Sequence, residues 1–278
     1  MKAVVVTGAS TGIGAACALR LDRLGHRVYV GIRKMADAEH LKAKASERLV
    51  PVHLDVTDTG QIEAAVKQID EESGALAGLV NNAGIGKGGP LEFIDLDEWR
   101  RQFEVNVFGQ VAVTKAMLPL IRRGNGRVVF IGSIGGKVSS PFLAPYNASK
   151  FAIEAIGEAL RSELHPWGIG VSVVEPGSID TAIWGKATEQ VDQIEHELPE
   201  VAKAYYADAI VAMRKAIEVQ ARRGISAERV ARAVEHALFS SRPKTRYPVG
   251  VDARTQTVMV RLLPDRLREA IVRRVVGV

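Results

Sequence analysis

The chain has 278 residues, of which 47% are hydrophobic and 25% charged, with a formal net charge of +5. These proportions describe a soluble globular protein long enough for one α/β core, and so modest a positive charge suits an anionic cofactor as readily as nucleic acid. The single cysteine, Cys17, excludes an internal disulfide, and the six histidines are scattered without metal-ligand spacing, so no metal centre is expected.

Lys2 to Thr7 (KAVVVT) is the kind of β-branched run expected of a parallel strand covered on both faces. It starts directly after Met1 with no leader-like segment, and no apolar run approaches a membrane span, so a cytoplasmic protein is expected. Gly8, Gly12 and Gly14 follow, then the helical apolar residues Ala15, Ala16, Ala18, Leu19 and Leu21. Strand, glycine turn and helix form a phosphate-binding arrangement: glycines admit the backbone to a pyrophosphate, and the helix N-terminus supplies N–H donors and positive dipole. A second strand, Arg27 to Ile32, ends in Arg33-Lys34, and no Asp or Glu stands between Asp22 and Asp37. An acid here would bind a ribose 2′-hydroxyl, whereas an arginine accommodates a 2′-phosphate. NADP(H) is therefore the expected cofactor, with NAD(H) still possible.

Val50 to Leu54 makes a third strand and delivers Asp55-Val56, where the acid can accept from an adenine amino group. Thr59 to Glu72 reads as an amphipathic helix, and Ala77 to Val80 leads into Asn81-Asn82-Ala83-Gly84. Strands alternating with helices predict an α/β fold, a three-layer doubly wound parallel sheet with its ligand at the carboxyl ends of the strands. A long helix is expected from Asp97 to Arg122, carrying Asn106 among apolar neighbours, where a buried amide must find partners. A fifth strand, Gly126 to Ile131, ends in Gly132 and Ser133.

After Pro145, apolar residues from Phe151 to Leu160 recur at close to helical spacing, which puts Tyr146 and Lys150 on one face at the first turn of a core helix. A free tyrosine titrates near pH ~10. A unit charge about 4 Å away, at an effective dielectric of ~20, favours the phenolate by roughly 4 kcal/mol. Tyr146 is thus expected near the operating pH, where a general acid/base works best. A sixth strand, Gly170 to Val174, ends in a sharp turn from Glu175 through Pro176 and Gly177 to Thr181. The segment 182–225 holds Trp184, Ile194, Leu198, Tyr205, Tyr206 and Met213, and its length favours a roomy apolar site. Ser226 caps a helix running to about Phe239, and Arg246 to Gly250 reads as a seventh strand. The tail 254–278 carries six arginines against Asp265 and Glu269 and reads as a basic amphipathic helix. It is expected to pack on the subunit or a neighbour in preference to a membrane surface.

Thr7-Gly8-x-x-x-Gly12-x-Gly14, Asn81-Asn82-Ala83-Gly84, Asn106, Ser133, Tyr146-x-x-x-Lys150 and Pro176-Gly177 stand in the order and spacing of the short-chain dehydrogenase/reductase family, which the chain resembles from residue 2 to about 180 and more loosely from 226 to 250. The strings VNVFG, YNASKFAIEA and VVEPGSIDT look most like the branch of retinol, hydroxysteroid and 3-hydroxybutyrate dehydrogenases and their bacterial relatives. The resemblance implies a Rossmann fold of about seven strands in one domain, 1–278, with 182–225 covering the substrate. It implies Tyr146 as acid in reduction and base in oxidation, and Lys150 as the group that binds the nicotinamide ribose and depresses the phenol. Ser133 would bond the substrate oxygen, and Asn106 would hold a water in a proton relay. Cofactor contacts would come from Gly8, Ser10, Thr11, Gly12, Ile13, Gly14, Arg33, Lys34, Asp55, Val56, Asn82, Ala83, Gly84, Tyr146, Lys150, Pro176, Gly177, Ile179 and Thr181. The substrate would meet Ser133, Gly135, Phe142, Tyr146 and Trp184. One departure is Thr11, where many NADP-dependent members carry a basic residue.

The implied activity is hydride transfer between NADP(H) and a secondary alcohol or ketone of an apolar, steroid-, retinoid- or lipid-like substrate. The implied assembly is a homodimer or homotetramer through the helices at about 97–122 and 145–166. A 3-oxoacyl-thioester reductase of lipid synthesis is one alternative, against which the long 182–225 segment argues. A catalytically silent cofactor-sensing protein is another, against which the intact Asn106, Ser133, Tyr146 and Lys150 argue.

Overall fold

The computed structural model describes residues 1–181, 188–189, 191–193, 195–196 and 198–276. Its centre is β1 (Ala3–Thr7), buried at every position. Successive residues of a strand face opposite sides of the sheet, and here both sides are core. Val5 joins Tyr29, Leu79, Phe130 and Val173 on one side; Val4 and Val6 join Val28, Val30, Val80, Val129 and Val174 on the other. Seven parallel strands result: β1, β2 (Arg27–Ile32), β3 (Leu49–His53), β4 (Gly78–Asn81), β5 (Arg127–Ile131), β6 (Val171–Pro176) and, after a small pair β7 (Ile179–Asp180) and β8 (Ile225–Ser226), β9 (Arg246–Val249). Their order in the sheet is β3-β2-β1-β4-β5-β6-β9. The chain winds outward from β1 to β3, then returns to β4 beside β1, so the switch point lies between β1 and β4, where an open α/β sheet binds its ligand.

One face of the sheet is covered by α1 (Gly12–Arg23) together with the later helix Ala227–Phe239, which Ser226 caps by accepting from the Glu228 N–H. The other face carries α2 (Thr59–Ser73), α3 (Leu96–Phe103), α4 (Gly109–Arg123) and α5 (Ala144–Leu164). The continuous helix expected from Asp97 is interrupted. Glu104–Phe108, with Asn106 at its centre, is a π-helical turn between α3 and α4. One extra residue is accommodated there without disturbing the apolar spacing on either side, and such turns are frequent at functional sites. Directly after it, Gly109 packs so closely on the loop after β3 that a Cβ would lie 2.7 Å from a Val56 methyl.

Beyond β6 come α6 (Glu200–Arg223), α7 (Ala227–Phe239), α8 (Val251–Leu262) and α9 (Asp265–Val276). The single tail helix expected from the sequence is two helices. Leu263 is extended before Pro264, as the residue preceding a proline prefers, and Pro264 has no N–H to continue the ladder. The expected packing of the tail on the subunit is partial: Met259 and Val260 are half-buried, while Val258, Leu262 and Leu267 face outward. Among the described residues no helix is long and apolar enough to cross a membrane.

Candidate active site

The loops at the carboxyl ends of β1 and β4 are laced together. The Thr7 hydroxyl oxygen accepts from the Asn82 and Ala83 N–H groups at 3.0 and 3.1 Å, and the Asn82 amide donates to the carbonyls of Thr7 and Gly8, both at 2.9 Å. Gly8 has φ +60°, and a Cβ on it would lie 2.7 Å from Ala83 Cα, so no other residue fits this turn. A Cβ on Gly14 would strike the Asn82 amide and the Gly8 carbonyl, each at 2.5 Å. Ser10 stands in the turn and Ile13 in the first turn of α1. Thr11, the N-cap, makes no side-chain capping bond, and the first turn of α1 has no acid. Uncapped N–H donors and a positive helix end leave a seat for an anion. These residues fit a dinucleotide pyrophosphate.

Around this seat, Arg33 and Lys34 are exposed at the end of β2. Asp55 Oδ1 accepts from the Thr57 N–H and hydroxyl at 3.0 and 2.8 Å, and Val56 is buried behind it. Thr181, after β7, puts its methyl 3.5 Å from where a Gly12 Cβ would stand, so the turn after β6 meets the glycine loop.

The side chains expected to be catalytic converge beyond β5. Ser133 follows that strand in an extended conformation, accepts from the Gly135 N–H at 3.0 Å and hydrogen-bonds the Tyr146 phenol. A Cβ on Gly86 would lie 3.6 Å from one edge of the Tyr146 ring and one on Gly135 3.4 Å from the other, so two glycines frame the ring. Part of Tyr146 reaches solvent, yet its hydroxyl sits deep, and burial raises the phenol above its ordinary value of 10.0, with the Ser133 bond opposing. Lys150, one turn on and 5% exposed, donates to the Ile131 carbonyl at 2.8 Å, and burial lowers it from 10.5 to about 8.

The expected depression of the phenol by Lys150 is therefore not what the structure shows. The ammonium is spent on a backbone carbonyl, 5.8 Å from the ring centroid, and desolvation dominates both groups.

Asn106 is fully buried; it accepts from the Ile85 N–H at 2.8 Å and donates to the Ile85 carbonyl at 2.9 Å and to Ser149 Oγ at 3.0 Å. The Ser149 hydroxyl in turn donates to the Tyr146 carbonyl at 2.7 Å. The amide thus ties the loop beyond Gly84 to the first turn of α5.

The family described as short chain dehydrogenase matches residues 2–192 of this chain. The chain belongs to the short-chain dehydrogenase/reductase family. It is 34% identical over 278 residues to an NADPH-dependent 3-dehydrocapnine reductase of Ornithobacterium rhinotracheale, covering 98% of this chain and 96% of the relative. It is 39% identical over 280 residues to 17-beta-hydroxysteroid dehydrogenase type 6 of Bos taurus, covering 98% and 88%. A crystal structure of a short-chain dehydrogenase from Streptomyces avermitilis superposes with a TM-score of 0.79 at 29% identity, covering 97% of this chain and 94% of that one. As a short-chain dehydrogenase/reductase, the protein is an NAD(P)-using oxidoreductase of CH–OH groups with a Rossmann-type fold.

In this short-chain dehydrogenase/reductase, Phe142, the residue expected to meet the substrate, holds φ +64°, uncommon for a bulky residue. Its carbonyl accepts from the Gly89 N–H at 2.7 Å, and its ring meets Tyr206 of α6 edge-on at 6.1 Å. Tyr206 also meets Phe93 edge-on at 6.0 Å and donates to Glu92 at 2.6 Å, so this aromatic joint fastens α6 to the body. Trp184 lies outside the described residues.

Two features escaped the sequence. Asp252, at the start of α8, accepts from the Ser178 N–H at 2.7 Å, and its carboxylate occupies the space a Gly177 side chain would need. The partner is 74 residues away and no local motif marks it. The other is the Glu154–Glu175 pair, beneath the reactive groups.

Proposed function

We propose that the protein is an NADP(H)-preferring oxidoreductase that interconverts a secondary alcohol and a ketone on an apolar substrate. The observation that carries the reading is the convergence of Ser133, Tyr146 and Lys150 at the carboxyl ends of the strands, on the same edge as the uncapped α1 N-terminus and Arg33. When bound there, the nicotinamide supplies or accepts the hydride. The chain's own part is positioning and proton transfer. In reduction, Tyr146 donates its phenolic proton to the ketone oxygen, and Ser133 donates a hydrogen bond to that oxygen. In oxidation, Tyr146 takes the proton back. Lys150 donates to the nicotinamide ribose, and Asn106 positions the Tyr146 turn through Ser149. Asp55 takes the adenine amino group, and Thr181 the carboxamide. Phe142 and the apolar face of α6, where Ala202, Ile210 and Met213 pack with Leu198, cover the substrate.

The cofactor preference rests on Arg33 and Lys34, exposed at the end of β2 with no carboxylate between Asp22 and Asp37. A 2′-phosphate gains charge-assisted bonds of ~1.5–3 kcal/mol there, about tenfold or more in discrimination. The expected result is a higher kcat/KM with NADP(H) than with NAD(H), and an Arg33→Ala variant that narrows the ratio mainly through KM for the phosphorylated cofactor. Equal or better kinetics with NAD(H) in the wild type would reduce Arg33 to a solvated charge.

The same reading includes self-association through α3, α4 and α5 in the cytoplasm. Leu96 of α3, Phe108 of the π-helical turn and Phe151 of α5 are 64, 56 and 43% exposed, an apolar surface a second copy would cover. Light scattering is expected to give a dimer or tetramer; a monomer at micromolar concentration counts against this assembly.

A further inference from the structure

Beneath the reactive groups lies a buried ionic cluster with no assigned role. Glu175 lies near the end of the fully buried β6, just before Pro176 and Gly177, and its side chain is 1% exposed. Glu154, on α5 one turn after Lys150, is 8% exposed. Lys137, which follows the turn bearing Ser133, lies 2.7 Å from Glu154 and 3.6 Å from Glu175; Arg246 of β9 lies 3.0 Å from Glu154 and 3.6 Å from Glu175. Arg246 also pairs with Glu158 at 2.7 Å, and Arg161 of α5 adds another positive charge nearby. Glu154 shares α5 with Tyr146 and Lys150, Lys137 follows the Ser133 turn, and Glu175 directly precedes Pro176 and Gly177. A Cβ on Gly132 would lie 3.5 Å from Glu154 Oε1, and one on Gly136 would strike the Lys150 carbonyl at 2.8 Å, so the Ser133 turn rests directly on this stretch of α5.

The hydrogen bonding is incomplete. Among the described residues, neither Glu175 oxygen nor Glu154 Oε1 has a hydrogen-bond partner. Buried polar groups without partners are costly. Two carboxylates offer each other no donor, but a proton placed between them supplies one. Burial, with the Glu154 charge beside it, pushes the Glu175 carboxyl up to about 7 against the opposing pull of Lys137 and Arg246.

We propose that Glu154 and Glu175 share one proton, and that this acid pair, held by Lys137 and Arg246, positions the Pro176–Gly177 turn against the Ser133 turn and the Tyr146–Lys150 helix. Glu175 is then a positioning residue: it touches neither substrate nor cofactor and acts through the turn that follows it. The inference rests on the reading of that turn as a cofactor contact. Loss of the shared proton leaves two buried carboxylates facing each other, and their repulsion moves the turn away from the cofactor. Proton and cofactor binding are thereby coupled.

The test compares wild type with Glu175→Gln, whose amide supplies the missing donor at every pH, and with Glu175→Leu, which supplies none. NADPH fluorescence titrations at about pH 6 and about pH 8.5 are expected to show wild-type affinity weakening by about fivefold or more relative to the glutamine variant, the scale of an ordinary site–site coupling. The comparison cancels titration of the cofactor's own 2′-phosphate. Glu175→Leu is expected to bind weakly at both pH values. Thermal melts give a readout independent of the cofactor. A carboxyl raised in the folded state above its unfolded value of 4.5 binds more protons folded than unfolded between that value and about 7. Wild-type stability therefore falls across this window as pH rises, and the glutamine variant should not share that fall. If the glutamine variant keeps the wild-type pH dependence in both measurements, or binds as weakly as the leucine variant, the shared proton is refuted while the cofactor reading stands. If wild type binds no nicotinamide cofactor at either pH, the cofactor reading and this inference fall together.

Discussion

Tyr146→Phe is expected to lower kcat by about 10²–10⁴-fold, the range a positioned general acid or base contributes, while cofactor affinity stays nearly unchanged. The phenyl ring keeps the place between Gly86 and Gly135 that the phenol occupies, so the frame of the site is preserved. What disappears is one hydroxyl and its bond with Ser133. Lys150 is anchored on the Ile131 carbonyl rather than on the phenol, so its hold on the nicotinamide ribose does not depend on the tyrosine oxygen. Kinetics in the reduction direction, together with NADPH binding by fluorescence, separate the two effects. Full turnover in the phenylalanine variant would remove Tyr146 from the proposed chemistry, and a parallel loss of cofactor affinity would mean that the hydroxyl organises the site rather than acting in it.

The sheet was readable because a buried parallel strand must be apolar on both faces, and AVVVT, RVYVGI and RVVFI are. The glycine turn was readable because Gly8 and Gly14 occupy positions where any Cβ collides with the Asn82–Ala83 segment. Other features were hidden for definite reasons. The π-helical turn at Glu104–Phe108 adds a residue within one helical run, so the apolar spacing on either side does not announce it. Proximity of Tyr146 and Lys150 followed from i,i+4 spacing, but the direction of their titration did not. That depends on how deeply each group is buried and on where the lysine's donors go, and the Ile131 carbonyl lies 19 residues away. Asp252 and the Glu154–Glu175 pair belong to the same class: a charge acquires its role from a partner brought up by another strand or helix. Pro264, in contrast, is a break visible in the sequence, one that amphipathic spacing alone does not register.

Lys150→Met is expected to separate function from stability. The ammonium is nearly fully buried and donates to the Ile131 carbonyl. Its folded value of about 8 against 10.5 means the folded state binds the proton less well than the unfolded chain. At pH 7 the buried charge therefore opposes folding, by an amount on the order of 3 kcal/mol, and the opposition fades as pH rises from about 8 towards 10.5. Methionine has similar length and no charge, so the variant should melt at a higher temperature than wild type near neutral pH. Catalysis should move the other way. Without the ammonium the ribose loses a donor, and both cofactor affinity and kcat/KM fall. The wild-type pH profile carries the same signature: below about 8 the amine is protonated and donates, above it the amine is neutral, so kcat/KM for reduction declines as pH rises through that value. Residual activity of Lys150→Met should lack this decline, and Lys150→Arg, which stays charged across the accessible range, should shift it upward. A methionine variant that is both less stable and still shows the alkaline decline near 8 would mean that another group titrates there and that Lys150 is held in place for structure.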